Sequence, residues 1–303
     1  METFLQQVFV GLSLASILMV AALGLTFTFG QMGIINMAHG EFIMAGAYVP
    51  YALQTGVLAG SLGLAFVVAI PVAFVVAGLM GLVLERVLLR RMVGRPLDTL
   101  LVTVGVSLIL QQAARDIFGA QNVQVVAPTW LRGTWTLAGV VMPHTRLFIM
   151  ALVVAVVALV SLFLARSPQG RRMRAVMQNR DLASVSGLRS GRIDAGTFFI
   201  GSALAGVAGV AVTLVGPIGS ATGTAYVIDA FLVVIVGGLG KLRGTIIAAL
   251  AIGLLNSFIE YNLSQVSTSA SSLAKAAVFA CVVAFLQFRP QGIVTFRTRG
   301  LAT

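Results

Sequence analysis

The stretch Gly33-Ile-Ile-Asn-Met-Ala-His-Gly-Glu-Phe-Ile-Met-Ala-Gly-Ala-Tyr48 sets three polar side chains, Asn36, His39 and Glu41, inside an otherwise apolar run. A charged side chain near the centre of a bilayer costs roughly 2.5–3.5 kcal/mol or more, so such a group must face protein or water rather than lipid. Read as a helix at about 100° per residue, the segment places Asn36 and His39 about 60° apart, with Gly33 and Gly40 on their side. Glu41 then points away from Asn36, so no single helical face gathers all three.

Composition sets this stretch in a membrane. Of 303 residues, 58% are hydrophobic and only 10% charged, with a mean hydropathy of +1.01. A soluble domain carries roughly 25% charged residues because its surface needs them. The chain therefore reads as an all-α, polytopic integral membrane protein. Soluble enzymes and nucleic-acid-binding domains are excluded despite the net charge of +11. Cys281 is the one cysteine and lies in an apolar run, so an internal disulfide or a cysteine metal cluster is impossible.

A hydrocarbon core of about 30 Å takes roughly 20 apolar residues per helix. That length predicts about nine spans, near 4–29, 33–55, 60–85, 97–118, 147–165, 195–216, 226–240, 245–262 and 272–288. Residues 4–29 are too long for a secretory signal and no basic segment precedes them, so they read as a retained first span. Arg86, Arg90, Arg91 and Arg95 follow the third span, and Arg166, Arg171, Arg172, Arg174, Arg180, Arg189 and Arg192 the fifth. Lys241 and Arg243 follow the seventh, and Arg289, Arg297 and Arg299 the ninth. Sixteen of the 20 basic residues thus share one side, which the positive-inside rule makes cytoplasmic. The N-terminus is expected outside and the C-terminal tail inside. Between spans four and five, residues 119–145 read as an external loop or short re-entrant element, with Trp130 and Trp135 as anchors at the outer headgroup level.

The seventh span carries Asp229 and ends Val-Gly237-Gly238-Leu-Gly-Lys241, so it too reads as a broken helix. Each interrupted span follows the first span of its half (about 1–166 and 193–303, one transmembrane domain overall), and the two run in opposite directions. That pairing points to an inverted repeat around a central transport pathway. Asn36, His39, Gly40, Glu41, Asp229, Gly237 and Gly238 are the candidate pathway residues. The alternative is structural: these groups bond between helices and satisfy broken backbone. Gly201, Ala205 and Gly209 form a small-residue row that close helix packing explains.

On the cytoplasmic side, Gly240-Lys241 is no phosphate-binding loop, since Ile235 and Leu242 stand where that pattern needs Gly and Ser or Thr. The longest inside segment, 167–192, suggests one short basic helix from Arg171 to Val185, with Met173, Val176, Met177 and Leu182 apolar and Gly187 as its stop. Such a helix suits either an anionic lipid surface or a groove on a soluble partner.

Phe29–Tyr48, FGQMGIINMAHGEFIMAGAY, resembles the signature of ABC importer permeases of the branched-chain amino acid type. Arg95–Val125, Arg174–Leu188, Tyr226–Thr245 and FRPQG at 288–292 are similar to the urea-transporting branch, although Ser220-Ala-Thr-Gly-Thr-Ala225 departs from it. The resemblance implies a permease for urea, or alternatively for a branched-chain amino acid, in a bacterial inner membrane. It implies a second, homologous permease, two cytoplasmic ATP-binding subunits and an external solute-binding protein. ATP would bind those partners; no cofactor or metal is expected on this chain. Within 167–192 it implies an ATPase-coupling helix, with Arg171, Arg172, Arg174, Met177, Arg180, Asp181 and Leu182 toward the ATPase. Ala183 and Gly187 match its Ala-x-x-x-Gly spacing. The other classes considered are a stand-alone channel or secondary transporter, which needs no docking helix, and a membrane enzyme using His39, Glu41 and Asp229. With His144 as the only other histidine, a histidine-rich metal site is not available.

Overall fold

Every long apolar run of the sequence becomes a helix. The computed structural model describes residues 2–92, 94–137, 139–266 and 268–294. Its helices are α1 (Glu2–Met32), α2 (His39–Thr55), α3 (Leu62–Val87), α4 (Pro96–Phe118), α5 (His144–Arg166), α6 (Pro168–Gln178), α7 (Arg180–Val185), α8 (Ser190–Val212), α9 (Thr222–Gly237), α10 (Leu242–Ser264) and α11 (Ala270–Phe288). Among the described residues, seven helices are long and apolar enough to cross a membrane: α1, α3, α4, α5, α8, α10 and α11. The expected second and seventh spans fall short as helices, at 17 and 16 residues for α2 and α9. The residues that lead into each stay outside the helix.

Packing is organised about α1 and α8, which are largely enclosed, while α4 and α11 keep most of their surface outward. These two central helices run antiparallel: Gln31 of α1 donates to Asp194 of α8 at 3.1 Å, and further along Gly24 faces Gly201. Helix α1 packs on α10 and α9, and α8 packs on α3 and α2. Likewise α2 touches α3 and α4, while α9 touches α10 and α11. Exchanging α1, α2, α3 and α4 for α8, α9, α10 and α11 reproduces this pattern, as the paired broken spans lead one to expect from an inverted repeat. The small-residue row makes it possible. Gly201 lies against the Gly24 backbone, and Gly209 against Ile43 and Ala47 of α2, so dispersion contact is gained along bare backbone.

One departure from the all-α expectation lies in the loop between α4 and α5. There β1 (Thr134–Leu137) pairs antiparallel with β2 (Val140–Pro143), Thr134 opposite Pro143. The hairpin is tied to the start of α1 by Gln6, whose amide exchanges two hydrogen bonds with the Val141 backbone at 3.2 and 3.0 Å. Gln54, near the end of α2, holds Val126 in the same way at 2.9 and 3.0 Å. Trp130 and Trp135 are exposed, each edge-on to one ring, Phe148 and His144 respectively. Cys281 is exposed on α11.

Candidate functional site

The two short helices start at the same place. After α1, Gly33 adopts a left-handed turn at φ 64° and its N–H bonds to Phe29 O at 2.8 Å. The chain then leaves helical geometry until His39. Asn36 therefore precedes α2, and the helical phase expected to relate it to His39, Gly33 and Gly40 does not exist. On the other side, residues 213–221 lead from α8 into α9, pinned by the Ile218–Val123 bridge and by Thr222 Oγ1 accepting from Gly219 N at 2.7 Å. The first turns of α2 and α9 then meet backbone to backbone. A Cβ on Gly40 would come within 2.5 Å of Gly223 O, and one on Gly223 would overlap Gly40 O.

Glu41 stands in the first turn of α2, where the helix dipole favours a carboxylate. It is fully buried, and its Oε1 accepts from Ser107 Oγ and Gln111 Nε2 of α4, both at 2.8 Å. Gln111 also reaches Thr224 Oγ1 of α9 at 3.0 Å. Met37 N donates to Thr103 Oγ1 at 3.1 Å, and Arg115 Nε donates to Ser220 Oγ at 2.9 Å. Thr103, Ser107, Gln111 and Arg115 thus form one polar stripe along α4, spaced four residues apart, facing the lead-ins and first turns of both short helices. Sequence reading missed it, although that spacing on an apolar helix is a legible helical period.

Around this cluster several buried polar atoms have no hydrogen-bond partner among the described residues: Asn36 Oδ1 and Nδ2, His39 Nδ1 and Glu41 Oε2. His39 Nε2 sits 3.1 Å from Ala21 O. Leaving such a group unpaired costs about 1–3 kcal/mol, and concentrated exceptions of this kind ask for a functional reason.

The other candidate pathway residues lie elsewhere. Asp229, in the middle of α9, pairs with Lys275 of α11 at 3.3 Å. Gly237 and Gly238 close the far end of α9, about 20 Å of helical rise from Gly223. There Gly238 turns with φ 95°, and Ile293 N donates to Val236 O at 2.8 Å.

The basic connection 167–192 folds as two helices rather than the single one expected from 171 to 185. Asn179 adopts extended backbone and caps α7, its Oδ1 accepting from Leu182 N at 3.0 Å. An Asn side chain competes for backbone in this way and so favours a break over a helix interior. Gly187 ends α7 at φ 82°, with Leu188 N bonded to Ala183 O and Gly187 N to Ser184 O, a Schellman closure that matches its expected role as a stop. Arg171, Arg172, Arg174, Asp181, Leu182 and Val185 are exposed, and Ala183 is buried. Two residues expected to face a partner turn inward instead. Met177 reaches over Gly30 and Gly240. Arg180 forms an ion pair with buried Asp194, whose carboxylate also takes Gln31. The physical reason is that Asp194, buried in α8, requires a cation. The expected basic residues Arg297 and Arg299 lie outside the described residues.

Residues 7–286 match the family described as the permease component of a branched-chain amino acid transport system. The chain belongs to that permease family. It is 30% identical to the high-affinity branched-chain amino acid transport system permease protein BraD of Pseudomonas aeruginosa over 301 residues, covering 96% of this chain and 95% of BraD. With LivH of Escherichia coli it shares 30% over 315 residues, again 96% and 95%. A probable LivH of Methanocaldococcus jannaschii is 28% identical over 92% of this chain and 89% of its own length. No solved structure matches significantly. As a permease component of an ABC importer of this type, the chain is a transport subunit and not an enzyme. The preference for urea finds no support among these relatives, whose names specify branched-chain amino acid transport.

In this permease the Arg180–Asp194 pair fastens α7 to α8. Arg180 is 37% exposed and Asp194 only 3%, so breaking the pair should cost less than the 3–5 kcal/mol of a fully buried one. Arg180→Gln is expected to destabilise the protein by about 1–3 kcal/mol, and adding Asp194→Asn should recover part of that loss. Thermal unfolding in detergent checks this. A melt of Arg180→Gln indistinguishable from that of the exposed control Arg172→Gln would refute the role.

Proposed function

We propose that the chain forms one half of the translocation pathway of an ATP-driven importer for branched-chain amino acids. The observation that carries this is the meeting of two helix N-termini at Gly40 and Gly223 around buried Glu41, whose Oε2 is unpartnered. A zwitterionic amino acid needs a partner for each charge. Glu41 suits an ammonium group, and the paired helix N-termini suit a carboxylate. Asn36, with both amide atoms free of partners among the described residues, adds hydrogen-bonding capacity. Further along the same α2–α4 seam, Tyr48 stacks on Phe118 with centroids 4.2 Å apart, an apolar surface for an aliphatic side chain. Urea, being neutral, requires neither charged partner. Moreover, the run that departs from the urea branch supplies Ser220, Thr222 and Thr224 to this very cluster.

In this reading α2 with residues 33–38, and α9 with residues 213–221, each complete one crossing, so that nine crossings put the N-terminus outside and the C-terminus inside a bacterial inner membrane. The arginines at the α6–α7 end support that orientation. A second permease completes the pathway, an external binding protein delivers solute, and two ATP-binding subunits dock on exposed Arg172, Arg174, Leu182 and Val185. Uptake of labelled leucine and of labelled urea by cells carrying the full operon, with and without this gene, tests the proposal. Loss of leucine uptake alone is expected. Loss of urea uptake alone would overturn the substrate assignment.

A further inference from the structure

Helix α5 packs against α1 and α6, meets α3 at one end where Phe66 lies edge-on to Phe148, and diverges from α3 and α8 beyond that contact. A cleft of about 1220 Å³ separates them, walled by Phe74, Phe163 and Phe199 and other apolar side chains, with Arg86, Arg90 and Arg192 at its α6 end. From Phe74 to Arg86 the α3 wall runs about 18 Å by helical rise, enough for an acyl chain of one leaflet, whose hydrocarbon is about 15 Å deep. All three arginines are exposed, and among the described residues their side chains make no hydrogen bond or ion pair. Glu85 lies buried behind Arg86 and Arg90 within electrostatic reach, yet its two oxygens are unpartnered and bond to neither. Three unpaired guanidinium groups over an apolar slot are complementary to a phosphate on a hydrocarbon tail, because the planar fork binds phosphate oxygens bidentately. Basic pockets between transmembrane helices hold anionic headgroups by the same chemistry.

We propose that this cleft is a binding site for an anionic phospholipid, its phosphate on Arg86, Arg90 and Arg192 and an acyl chain between α3, α5 and α8. The lipid fills a gap that no side chain among the described residues fills, and it joins α5 to the α3–α8 pair. Because the arginines adjoin α6, the bound lipid also braces the base of the α6–α7 element.

The test uses the intact importer, purified in mild detergent from membranes of mixed lipid and analysed for retained phosphatidylglycerol, cardiolipin and phosphatidylethanolamine. Wild type is expected to hold anionic lipid well above its share of the bilayer. The combined Arg86→Gln, Arg90→Gln and Arg192→Gln variant should lose at least tenfold of that excess, with phosphatidylethanolamine unchanged. A second variant attacks the apolar wall: a Cβ on Gly196 meets only Met173 Cε, at 3.8 Å, so Gly196→Leu fills the cleft without disturbing the arginines. It too should expel the anionic lipid, and it stands as the test if the triple variant does not assemble. Retention of the lipids in their bilayer ratio would overturn the proposal. So would unchanged anionic lipid in Gly196→Leu, or a cross-link showing a helix of a neighbouring subunit seated between α5 and α8.

Discussion

Gly40→Ala is expected to destabilise the protein and abolish uptake. The added Cβ would lie 2.5 Å from Gly223 O and 2.7 Å from Gly223 C. Both are backbone atoms of the first turn of α9, so relief requires the two short helices to part. Overpacking of this kind typically costs 1–3 kcal/mol and occasionally more, against a gain in helix propensity of about 1 kcal/mol for replacing Gly by Ala. A fall in melting temperature should therefore accompany the loss of transport. Gly105→Ala in α4 is the matched control, since a Cβ there meets nothing within 4 Å; it should be neutral or slightly stabilising. Equal melting curves for the two variants would show that the helix N-termini do not meet as described.

Glu41→Gln is expected to act on transport while leaving the fold intact. The amide oxygen of the new side chain still accepts from Ser107 and Gln111, so the bonds across α2 and α4 persist with a neutral acceptor. What disappears is the charge that would pair with a substrate ammonium. A hydrogen bond to a charged group is worth about 1.5–3 kcal/mol, so leucine uptake should fall by roughly ten- to a hundredfold with little change in melting temperature. Glu41→Asp, which keeps the charge but shortens the reach, should retain an intermediate rate. Wild-type uptake by Glu41→Gln would remove Glu41 from the pathway and leave it as a structural bond to α4.

These expectations start from residues that stand out in the sequence, yet the reasons behind them do not. Asn36, His39 and Glu41 are visible as polar interruptions because hydropathy is a local property. Their geometry is not, since the helical phase used to relate Asn36 to His39 assumes a continuous helix where the chain makes turns before α2 begins. The hydrogen-bond partners of Glu41 lie on α4, with Gln111 linking it on to Thr224 of α9; all are distant in sequence, and nothing local relates residue 41 to residue 111 or 224. Asp229 shows the converse. It reads as a second pathway carboxylate by position alone, and packing of α9 on α11 gives it Lys275 instead. Arg180 and its neighbours are indistinguishable as arginines in a basic segment. Only the buried Asp194 behind α7 separates the inward residue from the outward ones.

The sequence by itself determined that this is a multi-helix membrane protein, where its apolar helices begin and end to within about six residues, which connections are basic, and where two spans are interrupted. All of these follow from summed hydropathy, helix period and charge along short windows. Tertiary structure alone decided that the interrupted helices meet N-terminus to N-terminus at Gly40 and Gly223, that Glu41 bonds to the α4 stripe, and that α5 stands off α3 and α8 to leave a cleft ending in three arginines. Those outcomes depend on which helix faces pack across large sequence separations. Close approach of bare backbone and the need to satisfy buried polar groups select that packing, and no short window contains both partners.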